Sequence, residues 1–432
     1  MPKARSFLEG FQFLRGNIRI LTITQSLGMF CRSMVFPYAS LYILALGGDP
    51  ARIGFVNSVG PLAGLIIFPI AGCLTDRTGR VKIIAFAGYF SAAVTLLYVL
   101  APSWEIIAVA GLLQGFMAFQ FPPLSALMAD SLSPESRGRG IATMNTISSA
   151  LAIVAPYVAG ALLDAYGVEL GMRVLYGVMA VANLISATVN HRFLKETSSG
   201  RAETFSLSDL PGVFKSAYGD LPTTLRQLPR ALRALTVVLA LGFMANAVAS
   251  PYWVVFGADH IGLSSSEWGL ILLIETTLRS LAYIPAGMIV DRHGRTKWIL
   301  ASLCLSLVSV PLFVLATSFT QVLLIRAAVA VVTAFFIPAC SALMADIVPR
   351  DIRGRVMSAI GRGTVMIGAA SGGTGGPGMG FLITIPVMVA SSLGGYLYTF
   401  DPTYPWIFVA VTTAISILVT ALFVRDPREA EI

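Results

Sequence analysis

Residues 72–82 read Gly72-Cys-Leu-Thr-Asp76-Arg77-Thr-Gly79-Arg80-Val-Lys82, and residues 287–297 read Gly287-Met-Ile-Val-Asp291-Arg292-His-Gly294-Arg295-Thr-Lys297. Gly, Asp, Arg, Gly, Arg and Lys recur in the same places at an offset of 215. The match extends on both sides. Arg19, Leu21, Thr22, Leu27, Gly28, Pro37 and Tyr38 recur as Arg233, Leu235, Thr236, Leu241, Gly242, Pro251 and Tyr252 at an offset of 214. Ser125 to Asp130 recurs whole as Ser341 to Asp346 at an offset of 216, and Arg137-Gly-Arg139 recurs as Arg353-Gly-Arg355. Matches in this order, with so little drift, mark an internal duplication.

Composition sets the medium in which the two copies fold. The chain has 432 residues, of which 56% are hydrophobic and 12% charged, and its mean hydropathy is +0.78. A soluble domain carries about 25% charged residues, and disorder needs low hydrophobicity. Both classes are excluded, which leaves a polytopic membrane protein. Apolar runs fall at 20–44, 53–74, 82–101, 106–129, 141–163, 173–193, 234–257, 268–290, 298–317, 319–345, 381–400 and 404–424. A spanning helix takes about 20 residues. Open strands leave backbone groups unsatisfied in lipid, so the runs read as helices. The expected fold is an all-α membrane protein of twelve transmembrane helices in two pseudo-symmetric six-helix halves. The expected division is 1–195, a linker at 196–233, and 234–432.

The basic residues set the orientation. With twelve spans and an inner N-terminus, the inner segments hold 25 of the 30 Lys and Arg, and the outer loops hold only Arg52 and Arg173. This is a positive-inside pattern with both termini cytoplasmic in the plasma membrane. It also accounts for the net charge of +8, because basic loops face an anionic leaflet; nucleic acid is not the expected partner. The four cysteines lie in apolar stretches without metal spacing, and the three histidines are scattered, so no metal or other cofactor is expected. In the linker, Ser206 and Asp209 form a capping pair ahead of Leu207, Leu210, Phe214 and Ala217 at helical spacing, which predicts an amphipathic helix along the inner interface.

These residues carry a family resemblance. The GxxxDRxGR pattern between spans 2 and 3, repeated between spans 8 and 9, resembles the signature loop of the major facilitator superfamily, and the likeness covers nearly the whole chain. It implies a transporter of the twelve-span drug/proton antiporter type. It also implies an inner gate in which the loop aspartate meets span 11 and the loop's basic residues meet the acid ending span 4. Carried over, Asp76, Arg80 and Asp130 form one latch, and Asp291, Arg295 and Asp346 its counterpart. Gly72, Arg77, Gly79, Arg137, Gly287, Arg292, Gly294 and Arg353 complete the two gating sets. The bland alternative is charge that serves only topology.

Charges inside spans are costly, at least ~2.5 kcal/mol for a central Arg, and they mark function. Arg32 lies midway along span 1. Gln25, Met29, Arg32 and Phe36 share one helical face, which is expected to line a cavity, with Asn246 as the repeat mate of Arg32 in span 7. The alternative is a structural Arg. Glu275 and Arg279 lie one turn apart in span 8. A lone carboxylate there suits reversible protonation, whereas an ion pair with Arg279 does not, and both readings stand. Arg326 lies toward the outer third of span 10. The family often has an RxxQG pattern in span 4, tied to proton coupling; here the stretch is Gly111-Leu-Leu-Gln114-Gly115. The Arg is missing, and Arg326 falls within one residue of the equivalent place in the second half.

Two further stretches bear on mechanism. Ala155-Pro156-Tyr-Val-Ala159-Gly160 resembles the GPxxGG stretch of the family's exporters, with two Gly replaced by Ala. Residues 361–380 hold nine glycines. Gly160 matches Gly395, so the offset rises from 216 to 235 and an insertion lies between. This run lacks the Gly-Lys-Ser/Thr ending of a phosphate loop. It reads as an inner-side loop or a broken start of span 11, either a hinge or passive.

The expected function is secondary active transport by alternating access around a midplane site between the halves. The surplus of intramembrane Arg favours an anionic or amphipathic small-molecule substrate, exported in exchange for protons by a monomer in the lipid bilayer. An organic-anion uptake or exchange carrier and a non-transporting sensor or scaffold are the alternatives. An enzyme ranks last.

Overall fold

A computed structural model describes residues 15–197, 212, 229–348, 353–361, 364–370 and 380–426; for 68–78, 353–355, 358 and 381 it describes the backbone alone. The linker helix predicted around Ser206–Ala217 lies, but for Gly212, outside the described residues, as do Arg362 and Gly372–Gly378. The described residues are built of helices without strands, and among them twelve helices are long and apolar enough to cross a membrane. In the first half these are α1 (Gly16–Ala45), α2 (Pro50–Thr78), α3 (Arg80–Leu100), α4 (Trp104–Asp130), α5 (Arg137–Tyr166) and α6 (Val168–Phe193). In the second half they are α7 (Arg230–Ile261), α8 (Ser265–His293), α9 (Arg295–Leu315), α10 (Phe319–Ile347), α12 (Phe381–Phe400) and α13 (Tyr404–Phe423); a short helix, α11 (Arg353–Ile360), lies between α10 and α12 and is not one of the twelve.

The helix ends follow from the sequence. Asp49 caps α2, its side chain accepting from the Arg52 amide at 2.8 Å, and Pro50 takes the first turn. Ser264 and Glu267 form a reciprocal capping box at the start of α8. Gly79 ends α2 and starts α3 at φ +83°, and Gly294 does the same between α8 and α9 at φ +90°. One residue makes each turn, and only glycine adopts that backbone without strain. The glycine of each signature loop is therefore a steric requirement.

Packing repeats the duplication. In the first half α1 packs along α5 and α6, α3 along α6, and α2 along α4. In the second half α7 packs along α12 and α13, α9 along α13, and α8 along α10. Between the halves α2 meets α12, and α5 meets α8. The end of the bundle that carries the Gly79 and Gly294 loops is called the basic face below, and the opposite end the far face.

The far face is closed by glycine and tyrosine. A Cβ on Gly160 would strike the Ser265 carbonyl. One on Gly269 would lie 2.5 Å from the Pro156 oxygen. Across the pseudo-axis, a Cβ on Gly54 would lie 2.6 Å from the Ser391 oxygen, and one on Gly395 would lie 2.8 Å from the Pro50 oxygen. Absent side chains let backbones touch, the usual device of close helix packing in lipid. The buried Tyr38 hydroxyl donates to the Pro156 carbonyl at 2.7 Å and to the Ser265 carbonyl at 3.0 Å. Its repeat mate Tyr252 donates to the Pro50 carbonyl at 3.0 Å. Asp164 accepts from the Ser265 and Ser266 amides at 2.9 and 2.8 Å, at the start of α8. The Tyr38–Ser265, Tyr252–Pro50 and Asp164 bonds join the two halves, and each lies at the far face.

Gly269→Val should force α5 and α8 apart at the far face, at a cost of about 1–3 kcal/mol for an overpacked contact. Spin labels on Arg52→Cys and Tyr396→Cys should then report a longer, broader distance distribution; an unchanged distribution would show that the glycine contact does not hold this face shut.

Candidate functional site

At the basic face each half carries one arginine–aspartate pair. Arg80, at the start of α3, donates to Asp130 at the end of α4, and also to Thr197 Oγ1 at 2.9 Å. Arg295 at the start of α9 pairs with Asp346 at the end of α10. Asp130 is half exposed, and such pairs contribute about 0–1 kcal/mol, so their effect is to orient rather than to stabilise. Arg137 Nε caps the end of α4 on the Ala129 carbonyl at 3.0 Å. Asp291 and Arg292 are exposed. Gly287 lies within α8 with open space around it. Gly72, Asp76 and Arg77 lie in the last turns of α2 and Arg353 opens α11; their side chains fall outside those described, as does the predicted meeting of Asp76 with span 11.

A second pair of carboxylates went unnoticed in the sequence. Glu196, just past α6, accepts from the Val81 amide at 3.0 Å. Asp426, just past α13, accepts from the Thr296 amide at 2.9 Å. Each caps the positive end of a helix dipole next to the signature glycine. Phe193-Leu-Lys-Glu196 and Phe423-Val-Arg-Asp426 are repeat mates, so the signal was available.

Within the membrane the halves differ. In α1, Gln25 approaches Met128 Sδ of α4 at 3.8 Å. Gln25 shares a helical face with Met29, Arg32 and Phe36. Met29 and Phe36 are 39% and 42% exposed, and Arg32 is exposed too. The Arg32 guanidinium folds back beside Gly28, where a Cβ would sit 3.6 Å from Nη1. Among the described residues Arg32 has no hydrogen-bond or ion-pair partner.

The second half buries its charges together. Arg326 of α10 is 0% exposed and Glu275 of α8 is 3% exposed. Arg326 Nε and Nη2 both donate to Glu275 Oε2, at 2.9 and 2.6 Å. The other carboxylate oxygen faces Arg279 Nη1 at 3.5 Å. Trp253 stacks beneath the Arg326 guanidinium, 4.5 Å from its ring centre. The Glu275–Arg279 pair read from the sequence is present, but the closer partner is Arg326, 51 residues away in the chain. The lone-carboxylate picture of Glu275 is thereby replaced by a triad of one acid and two bases.

Asn246 departs further from expectation. Unlike the exposed Arg32, it is buried. Its amide is buried against residues 366–369: Nδ2 donates to the Met366 carbonyl, and Oδ1 accepts from the Gly368 and Ala369 amides at 3.0 and 3.2 Å. Arg326 Nη1 donates to the Gly368 carbonyl at 2.6 Å. The glycine-rich insertion is thus not confined to an inner-side loop. It breaks the eleventh span between α11 and α12 and reaches the charge cluster.

This arrangement of two repeated halves is that of a membrane transporter. The family model described as Major Facilitator Superfamily matches residues 21–256 and 234–432, and the chain belongs to that superfamily. It is 27% identical over 359 residues to the multidrug resistance protein MdtG of Enterobacter lignolyticus (strain SCF1), covering 79% of this chain and 81% of that one. It is 26% identical over 359 residues to MdtG of Salmonella typhi, covering 79% and 83%. Among solved structures, a bacterial homologue of the human lysosomal transporter Spinster, inward-facing and occupied, aligns with TM-score 0.67 at 15% identity over 94% of this chain and 96% of that one. The human organic anion transporter MFSD10 aligns with TM-score 0.60 at 13% identity over 94% and 98%. These structural likenesses concern the fold.

Removing one partner of a buried ion pair costs about 3–5 kcal/mol, because the other charge is left unpaired. Glu275→Gln should lower unfolding stability in detergent by that order, and Glu275→Gln with Arg326→Met should recover most of it. A double variant as unstable as the single one would assign the loss to packing rather than charge.

Proposed function

We propose that this protein is a proton-coupled secondary transporter that exports a small amphipathic or anionic organic solute across the plasma membrane. The observation that carries the reading is the symmetric closure of one face by Tyr38 and Tyr252, each bonding a backbone carbonyl of the opposite half. A pair of staples related by the duplication can open together as the two six-helix halves, 1–195 and 234–432, rock about a shared site. The basic face, with both termini, is cytoplasmic by the positive-inside rule. The state described is then closed to the outside. Arg80–Asp130 and Arg295–Asp346 hold the signature loops in place for closure at the cytoplasmic side. The protein works as a monomer in the bilayer, with no metal or cofactor.

Arg32 is the solute contact of the first half, since it alone of the three intramembrane arginines is accessible and without an acid beside it. Glu275 carries the proton only when its pairs with Arg279 and Arg326 part, the paired arrangement described being the proton-free state of the cycle. A proton there removes the counter-charge of Arg279 and Arg326 in one step, so proton binding changes the charge of the whole cluster. The similarity to proteins named for multidrug resistance supports export. The triad itself favours the second reading, an organic-anion carrier. Protonated Glu275 leaves two bare guanidiniums that attract an anion, which would move proton and anion together.

Proteoliposomes separate the two. For export by exchange, an outward-directed solute flux should grow with an inward-directed proton gradient; for co-movement it should grow when both gradients point the same way. Arg32→Ala should reduce binding of anionic solutes by about tenfold or more, as expected for a charge-assisted bond worth ~1.5–3 kcal/mol, with less effect on neutral ones. Equal losses would make Arg32 structural.

A further inference from the structure

Residues 364–370 lie where the second half should have a chamber. The duplication maps Gly28 and Arg32 of α1 onto Gly242 and Asn246 of α7. The three atoms nearest a Cβ on Gly28 all belong to the Arg32 guanidinium, at 3.6–3.9 Å. A Cβ on Gly242 would instead meet both methyls of Val365 at 3.3 Å. Val365, Ile367 and Ala370 are buried. Gly368 packs against α9 and α10, where a Cβ would lie 3.1 Å from Val310 and 3.2 Å from Val329. The space that α1 and α4 leave accessible is filled, between α7 and α10, by inserted backbone.

The chain leaves the helix and returns to the same point. A Cβ on Gly380 would collide with the Ala359 carbonyl and the carbonyl carbon of Ile360. The insertion implied by the offsets is 19 residues, the length of 361–379. The excursion is therefore a closed detour whose described part points into the bundle. Its carbonyl oxygens meet the groups a carboxylate would: Met366 accepts from the Asn246 amide and Gly368 from the Arg326 guanidinium, with Arg279 Nη1 beside Met366 Sδ at 3.8 Å, while the Gly368 and Ala369 amides donate to Asn246 Oδ1.

We infer that residues 364–370 are a tethered occupant of a second-half subsite for oxygen-bearing solutes, carboxylates above all, built from Asn246, Arg279 and Arg326. The Gly368 carbonyl stands in for a carboxylate oxygen. While the segment is seated, only the Arg32 side of the transport path is open. When it leaves, an anionic solute reaches Arg326. This deepens the proposed transport function and rests on it for the choice of ligand, but the occupancy itself does not depend on transport.

Two variants unseat the segment. Deletion of 361–379 rejoins Ile360 to Gly380 where they already meet. Gly368→Val keeps the chain length, clashes with Val310 and Val329, and is strained at φ +74°. In a background lacking the four native cysteines, a water-soluble maleimide should label Gly28→Cys at least about tenfold faster than Gly242→Cys, as for a segment seated more than about nine-tenths of the time. Either unseating variant should bring the two rates together. Carboxyfluorescein binding, read by anisotropy on purified protein, should tighten about tenfold in both variants and return to the original affinity on adding Asn246→Ala. Equal labelling of Gly28→Cys and Gly242→Cys in the intact chain, or dye affinity unchanged in both variants, overturns the inference. Loss of flux in proteoliposomes with the labelling difference intact would count against the transport reading and leave the tethered occupant standing.

Discussion

Backbone that leaves a helix inside a membrane must find a partner for each exposed N–H and C=O, because no water is present to serve. In this protein that constraint is met by Asn246 and Arg326. Asn246 bonds one carbonyl and two amides of residues 366–369, and Arg326 bonds a further carbonyl. The rest of the second half follows. Arg326 can be buried because Glu275 neutralises it, Glu275 can be buried because two arginines flank it, and Trp253 covers the guanidinium face. Remove any of these and a polar group is left unsatisfied in a low-dielectric interior, where the penalty is greatest.

The duplication makes this asymmetry visible. Helix contacts, glycine turns, helix-capping carboxylates, arginine–aspartate pairs and tyrosine staples all occur twice. The inserted segment and the intramembrane polar groups differ. The first half presents an accessible, unpaired Arg32, while the second turns the equivalent position inward to hold its own chain. A two-fold scaffold has thus kept its mechanics and divided its chemistry, a division suited to one half contacting solute while the other handles charge.

The twelve helices were legible because lipid demands long apolar runs, and because glycine at 79 and 294 marks turns that no other residue makes easily. The pairing of Arg80 with Asp130 and of Arg295 with Asp346 was implied by the family resemblance, while the repeat put the four residues at helix ends on one face. The Glu275–Arg279 pair was legible from spacing along one helix. Its link to Arg326 was not, because pairing between helices depends on rotation about their axes, which a single sequence does not record. Asn246 was misplaced for a related reason. Its mate Arg32 suggested an open cavity, and the inserted segment that fills the space has no counterpart in the first half from which its position could be inferred. The far-face tyrosines sat in the repeat as matched letters. Their role needed the geometry of the opposite half.

The staples carry a last consequence. Tyr38 and Tyr252 both act on main-chain oxygens, of Ser265 and Pro50. An acceptor of that kind persists whatever side chain occupies the position, so drift at 265 or 50 leaves the bond available while any change at the tyrosines abolishes it. The closure is heritable through two codons rather than four, and relatives with unlike sequences on α2 and α8 can retain the same fastening.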